Sequence, residues 1–527
     1  MKNVNNIADL LEDAMLKYGR KPAFHCLGQT LTFAQIDEHS RNLAAWLQHE
    51  SGLKQGDRVA IQLPNLIQYP IAAYAVLRAG MVIVNTNPLY TTREMKHQFN
   101  DSGAKALIVL KDLKAKFDEI KRETEIQTLI TTHATDMLDI ENKSKSQTGV
   151  QEQHSESLLQ VDFKQALEQG KSNSLQMRES QSKDDVCVLQ YTGGTTGVSK
   201  GAMLTHGNLI SNAKQTMERL TTGFDFEDEI LVCPLPLYHI YAFTVNLVMF
   251  ASEGHLSVLI PNPRDISAFI DAIKPFQFTG FAGLNTLFVG LCSQEAFRRL
   301  DFSKLKLTIS GGTTLTSAAA SQWMEVTGCS IAEGYGLSET SPVLSINEPG
   351  NEVLGSVGKP LVDTDIRFID SSGQDVTEGE EGELIAKGPQ VMKGYWKREA
   401  ESDKVFTPDG YFRTGDIGYR MKSGHIKIVD RLKDMICVSG FNVYPNEVED
   451  VLTQHPQVLE AAVVGKPCNH SGEKVCAYVT LSGELSKEEL ISHCKQSLTG
   501  YKVPKDIFVL DELPKSTVGK ILRRELR

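Results

Sequence analysis

Runs of apolar residues alternate with amphipathic stretches from the N-terminus to Trp323. Short uninterrupted apolar runs, such as residues 106–110, are typical of strands that are buried on both faces of a parallel sheet. Apolar residues recur at helical spacing in residues 1–18, 33–49 and 64–78, which predicts three helices. Because strands and helices follow one another in turn, the pattern predicts an α/β fold.

Beyond Val353 the pattern changes to short alternating runs that are separated by glycines and acidic residues. Runs such as 365–369 and 382–386 predict small antiparallel sheets. After Asp434 the sequence predicts helices at 445–454 and 487–498 and strands at 460–464 and 474–479. We therefore expect a large module, residues 1–430, and a compact α+β module, residues 434–527.

Two further segments have distinctive composition. Residues 141–185 are rich in Ser, Gln, Lys and Glu, which predicts a surface excursion with one helix around 158–167. Residues 230–252 carry no charged side chain, but Pro234 and Pro236 interrupt them. A uniform spanning helix is therefore not expected, and the segment predicts a strand, a tight loop and a buried helix.

Composition and charge narrow the class of protein. Hydrophobic residues make up 41% and charged residues 23% of the 527 residues, as in an ordinary soluble globular protein. The net charge of −11 argues against nucleic acid as a partner, because phosphate backbones recruit basic surfaces. The nine cysteines form no C-x-x-C pair, which favours a reducing compartment and argues against a cysteine-bound metal. The first 20 residues include acidic side chains and no continuous apolar run, so no signal peptide is expected.

The glycine-rich segment 191–201 is the main candidate for chemistry. Apolar runs at 186–190 and 202–204 predict a strand on each side of it, and Thr205 is predicted to cap a helix over 207–220. The segment contains four glycines, three threonines, one serine and Lys200. Glycines let backbone N–H groups converge on an anion, and the lysine adds a positive charge, so the segment predicts a phosphate site.

Three other interpretations of this segment fit less well. A Walker-type loop needs Gly-Lys followed by Ser or Thr at the start of a helix, whereas Lys200 lies between Ser199 and Gly201. Residues 197–201 match the G-x-S-x-G pattern of serine hydrolases, but Ser199 ends a loop between two predicted strands and not a strand-to-helix turn. A plain hairpin tip has no need of two Thr-Gly pairs.

Seven separated segments, in this order, point to one family. They are residues 191–201, 236–239, 333–340, 411–416, 430–434, 439–447 and 514–520. Together they resemble the motifs of adenylate-forming enzymes, which include acyl-CoA synthetases, peptide-synthetase adenylation domains and beetle luciferases. Within that superfamily the sequences of these motifs are most similar to those of bacterial long-chain fatty acid–CoA ligases. The resemblance implies a large N-terminal domain of mixed α/β sheets with a small β-barrel-like subdomain, a hinge at 431–433 and a small mobile α+β C-terminal domain.

The resemblance also implies a reaction in two steps, with ATP and CoA as co-substrates and Mg²⁺ as the metal. A fatty acid carboxylate would attack the α-phosphorus of ATP to give an acyl-adenylate and pyrophosphate, and the thiol of CoA would then take the acyl group and release AMP. Because the substrate supplies the nucleophile, the protein must supply positioning and stabilisation of negative charge. A fatty acyl-AMP ligase that serves a carrier protein, a synthetase for medium-chain or aryl acids, and a non-catalytic sensor remain alternatives.

The resemblance assigns roles to residues of the nucleotide site. The β- and γ-phosphates would be held by Tyr191, Thr192, Gly193, Gly194, Thr195, Thr196, Gly197 and Lys200, and Mg²⁺ by Glu339 and Thr196. Gly311, Gly312, Gly334 and Tyr335 would flank the adenine, while Asp416 and Arg431 would contact the ribose. Thr340 would bond the α-phosphate. Taken alone, Glu339 would be a solvated carboxylate and Asp416 a turn residue, so these roles depend on the family motifs.

The remaining assignments concern the acyl group and the second step. Lys520 would reach the α-phosphate and the acyl oxygen, and His239 would form a wall near the acyl carboxylate. Lys433 would be the hinge about which the small module rotates, which would withdraw Lys520 and bring Gly440 to the pantetheine passage. Cys437 stands where some relatives carry a second lysine, so a luciferase-like oxidation is disfavoured.

The resemblance further implies a cytoplasmic enzyme that can sit peripherally on the inner face of the cytoplasmic membrane. It leaves a homodimer open.

Overall fold

The computed structural model describes residues 4–138, 158–178, 181–192, 198–221, 228–468, 470–516 and 519–527. The strands are β1 Pro22–Cys26, β2 Gln29–Thr32, β3 Arg58–Gln62, β4 Val82–Asn85, β5 Ala104–Leu110, β6 Thr128–Thr132, β7 Leu159–Asp162, β8 Val186–Thr192, β9 Lys200–Thr205, β10 Ile230–Cys233, β11 Leu256–Leu259, β12 Gly280–Gly283, β13 Leu307–Ser310, β14 Ile331–Gly336, β15 Val343–Ile346, β16 Lys359–Pro360, β17 Asp365–Ile369, β18 Gly382–Lys387, β19 Phe412–Arg420, β20 Ile426–Arg431, β21 Ile436–Val438, β22 Phe441–Val443, β23 Val458–Cys468, β24 Gly472–Leu481 and β25 Asp506–Val509.

The helices cover the faces of these sheets. They are α1 Ile7–Lys17, α2 Phe33–His49, α3 Gln68–Arg78, α4 Thr92–Ser102, α5 Lys114–Ile120, α6 Phe163–Gly170, α7 His206–Leu220, α8 Ile240–Ala242, α9 Ile266–Ile273, α10 Asn285–Cys292, α11 Glu295–Arg298, α12 Ser317–Thr327, α13 Glu399–Val405, α14 Pro445–Thr453 and α15 Lys487–Ser497. A π-helix spans Phe243–Phe250, and short 3₁₀ turns span Lys111–Leu113, Lys121–Glu123, Ser338–Thr340 and Arg523–Glu525. Among the described residues, no helix is both long and apolar enough to cross a membrane.

Two large, mostly parallel sheets form the centre of the large module. One has the order β7-β6-β5-β3-β4-β8-β9, and only its β8–β9 pair is antiparallel. The other has the order β16-β15-β14-β13-β12-β10-β11-β1-β2 and is antiparallel at both ends. Every residue of α3 is buried, and one apolar cluster joins it to both sheets. The α/β class predicted from the alternation of strands and helices is therefore confirmed.

Two smaller antiparallel sheets follow in the chain. The third sheet has the order β17-β18-β19-β20. It is open, because its outer strands β17 and β20 do not pair with each other in the described part of the chain. The expected barrel-like subdomain is therefore a four-stranded antiparallel sheet and not a closed barrel. The fourth sheet has the order β22-β21-β24-β23, with β25 beside β24, and α14 and α15 contribute to its separate apolar core.

Several predicted boundaries differ from the structure. Helix α3 begins at Gln68 and not at Pro64, because Asn65 is engaged elsewhere: its side chain donates to the carbonyl of Leu235 (2.8 Å) and accepts from the N–H of Leu237 (2.8 Å). The helix predicted around 158–167 begins only at Phe163. The preceding residues, β7, pair with β6 as an edge strand, and residues 139–157 lie outside the described part of the chain.

Arg523 connects the chain's last turn to the junction between the modules. Its guanidinium donates to Glu449 (2.9 and 2.7 Å) and to the Asn446 side chain (2.6 Å), and it lies 3.2 Å from the carboxylate of Asp430. Asp430 is only 1% exposed, so its charge depends on this partner.

We expect Arg523→Ala to lower the free energy of unfolding by about 3 kcal/mol, because the substitution leaves the buried carboxylate of Asp430 without its cation. Urea unfolding followed by circular dichroism checks this. Arg524→Ala is the matched control, because the Arg524 side chain is 71% exposed and its ion pair with Glu525 is long, at 4.0 Å. Equal stability of the two variants would contradict the role given to Arg523.

Candidate functional site

A cleft of about 2930 Å³ lies where the modules meet. It is lined by the carboxyl-terminal ends of strands in both large sheets, including β8, β13 and β14, and by residues of the small module. Ligands of α/β proteins usually bind at this end of the strands. The residues that the sequence singles out are therefore expected to line this cleft.

The two described ends of the glycine-rich segment line the cleft at β8 and β9. These strands are antiparallel, and Thr192 faces Lys200 across them, which confirms that the segment joins two strands. Thr205 caps α7 as predicted, its hydroxyl accepting from the N–H of Asn208 at 3.1 Å. Tyr191 is fixed below the segment by a hydrogen bond from its hydroxyl to Asp101 (2.7 Å). The middle of the segment, namely Gly193, Gly194, Thr195, Thr196 and Gly197, lies outside the described residues.

Glu339 lies beside this segment in a short 3₁₀ turn. It is 8% exposed, and its Oε1 accepts hydrogen bonds from the Tyr395 hydroxyl (2.9 Å) and the Thr192 hydroxyl (3.4 Å). Within the described residues no lysine or arginine forms an ion pair with it. A buried carboxylate among hydroxyls is a set of hard oxygen donors, which fits Mg²⁺. No group of three or more His, Cys, Asp or Glu residues in the described ranges forms a cage that could hold a metal by itself.

Thr340 follows Glu339 and is completely buried. Its hydroxyl accepts from the N–H of Leu337 at 2.9 Å and lies within hydrogen-bond distance of the carbonyl of Pro342. The hydroxyl of Thr340 is therefore hydrogen-bonded to the backbone of its own turn.

Lys200 has two neighbours at the other side of the segment. It forms an ion pair with Glu401 of α13, and its Nζ lies 5.1 Å from the centre of the Tyr395 ring. Tyr395 therefore contacts both the cation and, through its hydroxyl, the carboxylate of Glu339.

Asp416 forms the opposite end of the cleft. It pairs in register with Arg431 across β19 and β20, and its Oδ1 lies 3.1 Å from Nε of Arg431. Its Oδ2 accepts a hydrogen bond from the hydroxyl of Tyr335 at 2.6 Å. Burial, together with the charge of Asp416, holds the pKa of Tyr335 well above its usual value, so the phenol remains a donor. The sheet register thus brings Asp416 and Arg431 together, and Tyr335 joins them from β14 of another sheet.

Small residues line the cleft between these two ends. A Cβ on Gly311 would lie 3.2 Å from the Tyr241 ring, and one on Gly334 would lie 3.2 Å from Ile346. Gly312 has a φ of +85°, which favours glycine. Gly311 and Gly334 therefore pack closely against neighbouring side chains, whereas the space beside Gly312 is open to a ligand.

Lys520 brings a charge from the small module into the cleft. The turn that carries it touches the large module, where the hydroxyl of Thr286 donates to the carbonyl of Gly519 at 3.4 Å. Burial, and secondly the neighbouring charge of Arg431, lower the pKa of Lys520 to about 8. His239 also lines the cleft. Burial, and then the charge of Lys520, lower its pKa to about 4, so its imidazole is neutral at neutral pH.

The structure does not bring every predicted residue to the cleft. Lys433 lines it, and burial lowers the pKa of this lysine. Gly440 does not line it; this residue lies in the turn between β21 and β22 with a φ of +84°. Lys520 and Gly440 are therefore not at the site together.

Three cleft residues escaped the sequence analysis: Tyr395, Glu401 and Glu333. Burial raises the pKa of Glu333 to about 7, and its Oε1 accepts from the N–H of Gly355 at 3.3 Å. Glu333 is the first residue of the 333–340 motif, and that place in the sequence is a signal that it lies near the site. No sequence pattern connects Tyr395 or Glu401 to the glycine-rich segment, because only the tertiary fold brings residues so far apart along the chain together.

Comparison with known proteins agrees with this geometry. Residues 11–396 match the family model of the AMP-binding enzyme, and residues 447–520 match that of the AMP-binding enzyme C-terminal domain. The chain is 44% identical to a long-chain-fatty-acid–CoA ligase of Yersinia pestis and 36% identical to one of Bacillus subtilis, each alignment covering 99% of this chain and 94% of the relative. Among solved structures, ATP-bound MatB from Rhodopseudomonas palustris is similar over 99% of this chain and 98% of its own, with 26% identity and a TM-score of 0.84.

We expect the amine of Lys520 to become reactive toward acetic anhydride as its proton is lost near pH 8, well below the range of an exposed lysine. Mass spectrometry of the labelled peptides at several pH values checks this, with the exposed Lys495 as the internal reference. Parallel labelling curves for the two lysines would show that the cleft does not depress the pKa of Lys520.

Proposed function

The chain belongs to the family of AMP-binding enzymes, and on that premise we propose that it activates a long-chain fatty acid with ATP and transfers the acyl group to CoA. The products are acyl-CoA, AMP and pyrophosphate. The observation that carries the proposal is the convergence of three charges in one cleft: Lys520 of the small module with Glu339 and Asp416 of the large one. Full-length relatives that carry the name of this activity support it.

The first step needs no nucleophile from the protein. An oxygen of the fatty acid carboxylate attacks the α-phosphorus, the bond to the β-phosphate breaks, and pyrophosphate leaves with the electron pair. Lys520, protonated at neutral pH, stabilises the negative charge that develops on the α-phosphate and the acyl oxygen. Asp416 accepts hydrogen bonds from the ribose hydroxyls and holds the nucleotide in place. Neutral His239 adds no charge beside the incoming carboxylate.

Lys200 and residues 192–197 hold the β- and γ-phosphates in this proposal. To bond the α-phosphate, the buried hydroxyl of Thr340 must leave its contacts with Leu337 and Pro342. Glu339, with Thr196, would hold Mg²⁺, which when bound would offset charge on the departing pyrophosphate. Mg²⁺ usually takes one or two carboxylates together with substrate phosphates, and the single buried carboxylate of Glu339 suits that pattern.

The second step requires a different arrangement of the modules. The thiol of CoA attacks the acyl carbonyl, and the bond from the carbonyl carbon to the AMP oxygen breaks. We propose that residues 434–527 rotate against residues 1–430 about the hinge 431–433, with Lys433 at its end. That rotation withdraws Lys520 and brings Gly440 to the passage for pantetheine.

Long acyl chains partition into membranes, which is why we propose that the protein works in the cytoplasm at the inner face of the membrane.

A pyrophosphate-release assay over carboxylic acids, with and without CoA, tests the function. We expect release to require a fatty acid, with turnover highest for long chains, and thioester formation with free CoA. A carrier-protein ligase would make adenylate but no acyl-CoA. Highest turnover with acetate or an aryl acid would contradict the proposed substrate class.

We expect Lys520→Ala to slow adenylate formation by roughly 100-fold or more, because the variant loses a cation at the developing charge. The same variant should still convert chemically synthesised acyl-adenylate to acyl-CoA, since that step proceeds with Lys520 withdrawn. Stopped-flow or quenched assays of each half-reaction check this. Lys505→Ala is the control, because Lys505 belongs to the same module, is exposed and does not line the cleft. An unchanged first step, or equal losses in both steps, would contradict the role of Lys520.

A further inference from the structure

Tyr395 lies between the two side chains that the proposed function gives to the outer phosphates and the metal. Its hydroxyl donates to Oε1 of Glu339 at 2.9 Å, and its ring centre lies 5.1 Å from Nζ of Lys200. The side chain is only 8% exposed. One buried tyrosine therefore contacts both charged groups of this end of the cleft.

The backbone fixes Tyr395 in this place. Just before it, the N–H of Met392 donates to the carbonyl of Glu339 at 2.7 Å, and just after it, the N–H of Trp396 donates to the carbonyl of Gly201 at 2.8 Å. The tyrosine is thus held to the turn that carries the carboxylate and to the strand that carries Lys200. Its orientation does not depend on its own side-chain contacts alone.

The two oxygens of Glu339 differ in their surroundings. Both hydroxyl donors, from Tyr395 and Thr192, reach Oε1. Oε2 has no hydrogen-bond donor among the described residues, although the side chain is more than nine-tenths buried. Oε2 is not one of the fully shielded side-chain atoms without a partner in the described ranges, and Glu339 lines the cleft, so this oxygen is open to a cation there.

We propose that Tyr395 is a positioning residue of the triphosphate site, whose hydroxyl orients Glu339 so that Oε2 is left for the metal and whose ring keeps Lys200 at the same site. This inference rests on the proposed function. Hydrogen bonds from outer groups to a metal-binding carboxylate restrict its rotation and raise its affinity for the metal. A cation near an aromatic face is attracted by the ring quadrupole, which limits the space that Lys200 samples.

The phenol is suited to this role because it stays neutral. Burial, and then the charge of Glu339, raise the pKa of Tyr395 above its usual value, which favours the neutral hydroxyl as a donor at neutral pH. A neutral donor orients the carboxylate without cancelling the charge that the metal needs.

Glu401 is the present partner of Lys200 and must give way to phosphate. The ion pair is partly exposed, with side-chain exposures of 31% for Lys200 and 36% for Glu401. Such pairs are weak, so a triphosphate can replace the carboxylate at low cost. Because the Tyr395 ring lies beside Lys200 in the ion pair, it can support the cation through this exchange.

The test is Tyr395→Phe, which keeps the ring and removes only the hydroxyl. We expect Mn²⁺, used in place of Mg²⁺, to bind roughly ten-fold more weakly in the presence of inorganic pyrophosphate, as measured by electron paramagnetic resonance. AMP binding without metal should match that of the parent chain. All binding is measured below the melting temperature of both chains, because Oε1 of Glu339 loses a hydrogen-bond donor in the variant, and some stability with it. Tyr411→Phe is the control, since its hydroxyl bonds Asp365 and it does not line the cleft.

Two further variants separate the ring from the hydroxyl. Glu401→Gln should tighten binding of inorganic pyrophosphate roughly two- to five-fold by freeing Lys200. Tyr395→Leu should weaken pyrophosphate binding beyond the loss seen in Tyr395→Phe, because it also removes the ring. Mn²⁺ affinity in Tyr395→Phe equal to that of the parent chain would overturn the inference and leave the proposed function intact. A parent chain that binds neither ATP nor Mn²⁺ with pyrophosphate would overturn both.

Discussion

A chain of four charged side chains links the end of the small module to the nucleotide cleft. Arg523 lies 3.2 Å from buried Asp430, the next residue along the chain is Arg431, and its guanidinium lies 3.1 Å from Asp416. Lys520 lies three residues before Arg523 in the chain. The contacts that hold the turn Arg523–Glu525 therefore also restrict the position of the lysine amine. Coulomb attraction is strong where charges are withdrawn from water, which makes this network a constraint on the relative position of the modules.

The network has a consequence for the chemistry. Lys520 is crowded by Arg431 and shielded from water, and these two effects lower its pKa to about 8. A cation in such surroundings is weakly solvated by water, and so it is available to stabilise charge on a reacting phosphate. In the proposed function this amine serves the first step and leaves the site before the second.

Much of this arrangement is predictable from local sequence pattern. Strand and helix periodicity predicts the α/β order, and the apolar runs on either side of the glycine-rich segment become β8 and β9. Local pattern fails where a distant contact decides the outcome. Residues 159–162 form a strand only because an edge of the first sheet is there to pair with, and α3 begins late because Asn65 bonds the backbone near Leu235. The π-helix Phe243–Phe250 differs from an α-helix by one residue in the spacing of its hydrogen bonds, and the periodicity of an almost wholly apolar run cannot reveal this difference.

The candidate site, too, is predictable from the sequence only in part. Family motifs identify Glu339, Asp416 and Lys520, but they do not show that Tyr395 connects Glu339 to Lys200, since this depends on where separate loops meet in space. The predicted roles of Gly193 to Gly197 stay predictions, because those residues lie outside the described ranges.

The central claim is that the fatty acid's own carboxylate attacks the α-phosphorus while the protein only positions and stabilises charge. Turnover of a fatty acid labelled with oxygen-18 in its carboxylate, followed by mass spectrometry of the nucleotide product, tests this most directly. The account predicts AMP that carries one labelled oxygen, together with unlabelled pyrophosphate. Unlabelled AMP, or ADP as the product, would contradict it.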